Sequence, residues 1–239
     1  MKTRTSDPAT AEVIEHVNEL RKRLLIALLA VIAGTLISFA FTQQFIELLA
    51  RPIGGIDRLQ SIDVTENVGV FMRVSLLAGF ILSLPVIVWQ IVAYLLPGLE
   101  ENEKGWLFSA IPFATILFLA GVAFAYFVML PSAIPFLTEF LGVTTVPRLS
   151  NYIGFTTNLL FWIGLSFETP LFVFLLAKVG LISAGALLRG WRYAIIIIAV
   201  IAAFATPTVD PVSMGLLMLP LFILYLLSIV LAKIARPKD

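Results

Sequence analysis

The sequence contains no cysteine, and its 239 residues include a single histidine. The absence of cysteine excludes a disulfide framework, an iron–sulfur cluster, a thiol nucleophile and a Cys-based zinc site. The 16 Lys and Arg residues nearly balance the 15 Asp and Glu residues, which leaves a formal net charge of +1. Such a chain has no overall basic field with which to attract DNA or RNA. We therefore predict no metal site, no cofactor and no nucleic acid partner.

Charged residues are also scarce. They make up 13% of the chain, whereas hydrophobic residues make up 60% and the mean hydropathy is +1.02. Soluble domains carry roughly 45–50% apolar and about 25% charged residues. This chain has too little polar surface to cover a water-soluble globule, and its composition predicts a membrane protein.

Six long runs of the sequence are free or nearly free of charge. A helix needs about 20 apolar residues to cross roughly 30 Å of hydrocarbon, and these runs are too long for the roughly ten-residue strands of a membrane β-barrel. The sequence therefore predicts an all-α polytopic membrane protein with a single membrane domain over residues 1–239. The predicted spans are 24–45, 74–96, 106–130, 149–177, 193–206 and 212–232.

The fifth predicted span is short, and several spans contain or adjoin proline. A helix of about 14 residues reaches only about 21 Å, so the bilayer beside this span is predicted to be thin. Proline favours kinks in helices, and the prolines concerned are Pro85, Pro112, Pro170 and Pro220. We expect six transmembrane helices in a bent, concave bundle.

Lys and Arg concentrate on one side of the predicted spans. The segment before the first span and the connections on the same side hold most of them, which predicts that both termini are cytoplasmic. The long segments 46–73 and 131–150 then lie outside, and their prolines predict a structured extracytoplasmic cap. In this region Arg73 is expected to reach the interface or to pair with an acid such as Glu66. The start of the chain resembles neither a cleavable signal nor a transit peptide, which favours a bacterial or archaeal plasma membrane.

Acidic side chains mark the predicted cytoplasmic face. Residues 10–23 are predicted to form an amphipathic helix that carries Glu19, and the first inner loop carries Glu103 within the sequence PGLEENEK. A carboxylate accepts the planar fork of arginine in two parallel hydrogen bonds, a geometry that lysine cannot reproduce. The two acidic segments therefore suit a peptide that bears arginines. A simple interfacial anchor followed by a solvated loop is the alternative.

Glu168 is the single carboxylate within a predicted span, about 15 Å from the inner end of that span. A charge at that depth is costly, so the side chain is expected to be protonated, hydrated or hydrogen-bonded. It provides either a structural hydrogen bond or a polar contact for a partner helix. Thr206 is an uncharged polar residue for which helix packing is the simplest role, and Tyr94 suits the membrane interface.

No combination of residues predicts catalysis. No histidine lies within a predicted span, no pair of membrane-embedded aspartates is present, and the metalloprotease, phosphate-binding and dinucleotide-binding motifs are absent. The chain is therefore not expected to be an enzyme. A proton-coupled small-molecule carrier that loads a proton on Glu168 is an alternative, and a structural scaffold is another.

Five sequence segments follow one another in a recognisable order. They are HVNELRKRLL, LPVIVWQIVAYLLPGLEENEK, FAYFVMLPSAIPFL, GLSFETPLF and FATPTVDPVSM. Together they resemble the TatC family, the multi-spanning receptor subunit of the twin-arginine protein translocase. The resemblance extends from about His16 to Ala232, nearly the whole chain.

This resemblance implies a receptor that binds arginine-pair signal peptides at the cytoplasmic face. It also implies export of folded proteins driven by the proton motive force, within an oligomeric receptor complex in the membrane lipid. On this basis Glu19 and Glu103 would engage the arginine pair, and Arg21 and Tyr94 would shape the same face.

The resemblance further implies partner subunits with a single span, of the TatA and TatB type. Glu168 would match a buried glutamate of the family that faces a groove and meets a polar residue of a partner helix. Thr206 and its neighbours would lie in the partner-binding stripe.

Overall fold

The computed structural model describes residues 8–95, 101–139, 146–205 and 211–235. Almost all of these residues are helical, and β pairing among them is limited to one isolated bridge between Gln60 and Arg148. The helices are α1 (Pro8–Ser38), α2 (Thr42–Ala50), α3 (Glu66–Leu95), α4 (Glu101–Phe124), α5 (Leu130–Glu139), α6 (Leu149–Phe167), α7 (Thr169–Lys178), α8 (Ala184–Arg189), α9 (Trp191–Ala205) and α10 (Pro211–Ala235).

Within the described residues, five helical segments are long and apolar enough to cross a membrane. They are His16–Ile53, Glu66–Tyr94, Ile111–Pro135, Leu149–Lys178 and Leu217–Ala235. Helix α9, with 15 residues, is a shorter apolar helix. These helices confirm the predicted all-α membrane fold. The thinning of the bilayer beside α9 stays a prediction.

The two ends of the bundle differ. At one end, residues 51–65 and 146–150 form a cap, in which Leu149 N donates to Gln60 O at 2.8 Å and Gln60 N donates to Pro147 O at 3.1 Å. We call this end the cap side. At the opposite end, the terminal side, α1 begins and α10 ends. The cytoplasmic position of the terminal side stays a prediction.

Helix α1 packs on α3 through direct backbone contact. A Cβ atom on Gly34 would lie 2.6 Å from Gly79 O, so the two helices can approach this closely only because both positions are glycine. Nearer the cap, the hydroxyl groups of Thr42 and Ser75 lie 2.6 Å apart and share a buried hydrogen bond. The first predicted span is therefore fixed to the second along most of its length.

Helices α6 and α7 form the centre of the bundle. Half of the most apolar window in Leu149–Lys178 is buried inside the protein, compared with 11% of the window in His16–Ile53. Helix α6 contacts α3, α4, α9 and α10, whereas α1 packs mainly on α3. Helix α1 is consequently peripheral, and most of its apolar surface is left for lipid or for another chain.

Glu66, the first residue of α3, ties the two segments of the cap together. Its side chain accepts hydrogen bonds from Ser150 N at 2.6 Å and Ile62 N at 3.0 Å, and it forms an ion pair with Arg148 Nε at 2.9 Å. Carboxylates are also favoured at a helix N-terminus by the helix dipole. Of the two alternatives predicted for Arg73, the ion pair with Glu66 is not formed, because Arg148 occupies that carboxylate. The position of Arg73 at the membrane interface stays a prediction.

Candidate functional site

Glu19 lies on α1 at the terminal side and is already paired with an arginine. Arg23, one helical turn later, donates from Nε to Glu19 Oε1 at 3.1 Å, and Arg23 Nη2 contacts the same oxygen. The i,i+4 spacing predicts this pair. Both side chains are partly exposed, so the pair contributes little stability and can be exchanged for another guanidinium group.

Tyr94 meets α1 at the same end of the bundle. It is the second-to-last residue of α3, it is half-buried, and its ring lies 5.0 Å from the ring of His16 between centroids, at an interplanar angle of 47°. His16 and Glu19 are three residues apart and therefore lie on one face of α1. Glu19 thus lies on the face of α1 that meets Tyr94 through His16, and we call these three residues the Glu19–Tyr94 neighbourhood.

His16 is a residue of this neighbourhood that sequence analysis missed. Its exposure alone suggests a solvated side chain, and its contact with Tyr94 joins positions 78 residues apart. A signal is present in the sequence only indirectly, through the spacing of three residues between His16 and Glu19.

The structure shows less about Arg21, Glu103 and Thr206. Arg21 is exposed, and at two residues from Glu19 it points away from the Glu19 side of the helix. Glu103 lies in the first turn of α4, which begins at the terminal side, but its side chain is outside the described part of the structure. Thr206 lies outside the described residues altogether.

Glu168 stands at the break between α6 and α7. Helix α6 ends at Phe167 and α7 begins at Thr169, with Pro170 in its first turn. Proline lacks a backbone N–H and fits the first turn of a helix better than the interior, so the sequence divides the span here. Glu168 N donates to Leu165 O at 3.2 Å, and Phe172 N donates to Glu168 O at 3.0 Å. The backbone at this position is therefore satisfied.

The side chain of Glu168 is not satisfied. The residue is 3% exposed, and neither carboxyl oxygen has a hydrogen-bond partner among the described residues. The nearby hydroxyl of Ser166 donates instead to Trp162 O at 2.6 Å. Buried polar groups are nearly always hydrogen-bonded, because an unpaired one costs free energy. This carboxyl group therefore has unused hydrogen-bonding capacity, with both oxygens buried.

Comparison with known proteins identifies the family of the chain. The family described as Sec-independent protein translocase protein (TatC) matches residues 15–220. This range includes both the Glu19–Tyr94 neighbourhood and Glu168. The chain belongs to the TatC family.

Relatives in this family resemble the chain over nearly its full length. A Sec-independent protein translocase protein TatC from Carboxydothermus hydrogenoformans is 36% identical, covering 95% of this chain and 95% of the relative. One from Deinococcus radiodurans is 37% identical, covering 95% of this chain and 88% of the relative. A crystal structure of a twin arginine translocase receptor, TatC, superposes with a TM-score of 0.83 at 34% identity, covering 92% of this chain and 99% of that one.

Membership in the TatC family decides between the alternatives left open by the sequence. The family is described as a protein translocase, which favours a component of protein transport over a small-molecule carrier that uses Glu168. It also favours a transport component over an enzyme. The chain is thus a multi-pass membrane protein of the Tat translocase family.

Proposed function

We propose that this protein is the receptor of a twin-arginine translocase and binds arginine-pair signal peptides at its terminal side, which faces the cytoplasm of a bacterium or archaeon. The observation that carries the proposal is the likeness to a twin arginine translocase receptor over 92% of the chain. Two further observations support it: Glu19 accepts a guanidinium group, and it lies on the face of α1 that carries His16, whose ring contacts Tyr94.

The binding step is an exchange of guanidinium partners. In the free protein Arg23 occupies Glu19, and an arginine of the signal peptide replaces it. Glu103, at the start of α4, takes the second arginine of the pair, and Tyr94 offers a ring face on which a guanidinium plane stacks. Arg21 lies on another face of α1, where it repels cationic groups from unproductive positions. Lysine, a point charge without a planar fork, binds less well.

The proposal extends to the partners of the receptor. The orphaned carboxyl group of Glu168 hydrogen-bonds a polar side chain from a single-span subunit of the TatA or TatB type. Thr206, beyond the end of α9, belongs to the same partner-binding stripe. A chain of this size cannot enclose a channel for a folded protein, so recruited subunits and an oligomeric complex complete the path that the proton motive force drives.

The experiment that tests the proposal is site-specific photocrosslinking and titration of an arginine-pair signal peptide against the purified full-length protein. Glu19→Gln and Glu103→Gln are each expected to weaken binding about tenfold, because a charge-assisted hydrogen bond contributes roughly 1.5–3 kcal/mol. Glu47→Gln, an exposed acid on α2 near the cap, is the matched control and is expected to leave binding unchanged. A lysine-pair peptide is the ligand control.

A variant with the opposite sign sharpens this test. Arg23→Gln removes the internal competitor for Glu19 and is expected to tighten peptide binding, by up to about fivefold for a partly exposed pair. Unchanged affinity in Glu19→Gln and Glu103→Gln, or equal binding of the lysine-pair peptide, would contradict the proposed receptor site. Weaker binding at higher salt is expected for all functional variants, since screening acts on each charge.

A further inference from the structure

A large cavity lies on the cap side, away from the proposed peptide site. It is open to the surface, has a volume of about 850 Å³ and is lined by the cap, α3, α5 and the first half of α6. The signal-peptide proposal uses none of the side chains in its lining. Those that matter here are Arg73, Ile134, Arg148, Asn151, Phe155 and Asn158.

The charge of this cavity is positive. Arg73 and Arg148 both line it, and no carboxylate does so among the described residues. The charge of Arg148 is matched by Glu66 at 2.9 Å. Arg73 is exposed, and within the described part of the chain it has no ion-pair partner. Asp63 and Glu66 line an adjoining cleft that Arg73 also borders, but neither forms an ion pair with Arg73 among the described residues. Arg73 is therefore the cationic group of the cavity that is open to a further anionic partner.

The position of Arg73 in the membrane makes that group unusual. Arg73 follows Glu66 by seven residues in α3, which is about 10 Å along the helix axis. A headgroup region is only about 5–8 Å thick on each side of the hydrocarbon core. With Glu66 placed at the outer edge of the headgroup region, Arg73 lies near the boundary between headgroups and hydrocarbon. The neighbouring apolar side chains of Met72 and Leu76 on α3 are exposed. An unpaired arginine at that depth needs an anion or water.

Helix α6 leaves space for the side chain of Arg73. Gly154 of α6 has no side chain, and a Cβ atom there would overlap Arg73 Nη1. The guanidinium group thus lies across the surface of α6. Asn151 and Asn158 are seven residues apart on α6, and both are exposed along the same helical face. Two amide groups and a guanidinium group therefore line the same space.

Apolar side chains complete the cavity. Ile134 of α5 and Phe155 of α6 line the same space as the polar groups. A bare anion such as inorganic phosphate would occupy a small part of about 850 Å³ and would gain nothing from this apolar wall. A ligand that carries an anionic oxygen-rich head and a hydrocarbon tail matches both parts.

We propose that this cavity is a binding site for an anionic phospholipid, with the phosphate group held by Arg73 and the first part of an acyl chain held against Phe155 and Ile134. Asn151 and Asn158 hydrogen-bond the phosphate and glycerol oxygens. Arg148 positions the cap through Glu66 and adds to the positive potential. The site is independent of the signal-peptide proposal and stands if that proposal fails.

The test measures lipid binding to the purified full-length protein by native mass spectrometry and by titration in mixed micelles. Phosphatidylglycerol is the probe, phosphatidylcholine is the zwitterionic control, and inorganic phosphate in large excess is the competitor. Arg73→Gln is expected to weaken phosphatidylglycerol binding about tenfold. Gly154→Ala, which keeps every charge but displaces the guanidinium group, is expected to weaken it severalfold. Arg58→Gln, which removes an exposed cap arginine outside the cavity, is the matched control and is expected to have no effect.

Each other outcome overturns the site. Wild-type lipid affinity in Arg73→Gln would show that Arg73 holds no phosphate. An equal loss in Arg58→Gln would show that the lipid responds only to overall surface charge. Displacement of the lipid by inorganic phosphate would identify a free-anion site, and capture of an acidic apolar helical peptide in place of the lipid would identify a protein partner. Gly154→Ala covers the case in which Arg73→Gln does not fold.

Discussion

Two glutamates are buried within the described part of this protein, and their surroundings are opposite. Glu66 in the cap is 6% exposed and accepts hydrogen bonds from backbone N–H groups and from Arg148. Glu168, between α6 and α7, is 3% exposed and has no partner for either oxygen. A satisfied carboxylate stabilises the fold, whereas a buried carboxyl group without a partner costs free energy.

The largest loss of stability is expected from a substitution of Glu66. Glu66→Ala removes the acceptor of the backbone N–H groups of Ser150 and Ile62 and also removes the ion-pair partner of Arg148. We expect the midpoint of thermal unfolding to fall by roughly 10 °C. Scanning fluorimetry of the detergent-solubilised protein measures this. Asp57→Asn, an exposed cap acid, is the control and should leave the midpoint unchanged.

The opposite sign is expected at Glu168. Glu168→Leu replaces an unpaired buried carboxyl group by an apolar side chain of similar size and is expected to stabilise the protein by about 1–3 kcal/mol. The same fluorimetry should show a higher unfolding midpoint. Copurification of single-span partner subunits should fall in the same variant. A lower midpoint would mean that the carboxyl group has a stabilising partner within the fold, and the contrast with Glu66 would be lost.

The buried hydrogen bond between Thr42 and Ser75 gives an uncharged reference for the effects of the two glutamates on stability. Thr42→Val and Ser75→Ala each remove the hydrogen bond between α2 and α3. Interhelical hydrogen bonds in membranes contribute about 0.6 kcal/mol on average. We expect a coupling energy of that size from a double-mutant cycle of the two changes. A coupling as large as the effect of Glu66→Ala would mean that charge is not what distinguishes the cap.

The sequence predicts the fold class because the decisive signal is local. Charge-free runs of about 20 residues indicate membrane helices without reference to the rest of the chain. Pro170 is likewise a local signal, and it marks the place where α6 ends and α7 begins. The pairing of Glu19 with Arg23 follows from the helical repeat alone.

The cap and the cap-side cavity could not be predicted in the same way. Glu66 pairs with Arg148, 82 residues away, and the sequence equally allowed Arg73 as a partner. Asn158 lies within the predicted span 149–177, yet it is exposed because the cap and α5 leave a cavity beside it. Such contacts depend on how distant segments assemble, and no local periodicity encodes them.

Helix α1 combines two features with a mechanical consequence. It is unbroken over 31 residues, about 46 Å, from Pro8 to Ser38, and it packs mainly on α3. It forms a stiff rod that is supported along one side by α3, with the closest approach at Gly34 and Gly79. A tilt of about 10° around its midpoint would move each end by about 4 Å in opposite directions. A displacement of the end that carries Glu19 would then move the cap-side end of α1 through the rigid helix itself.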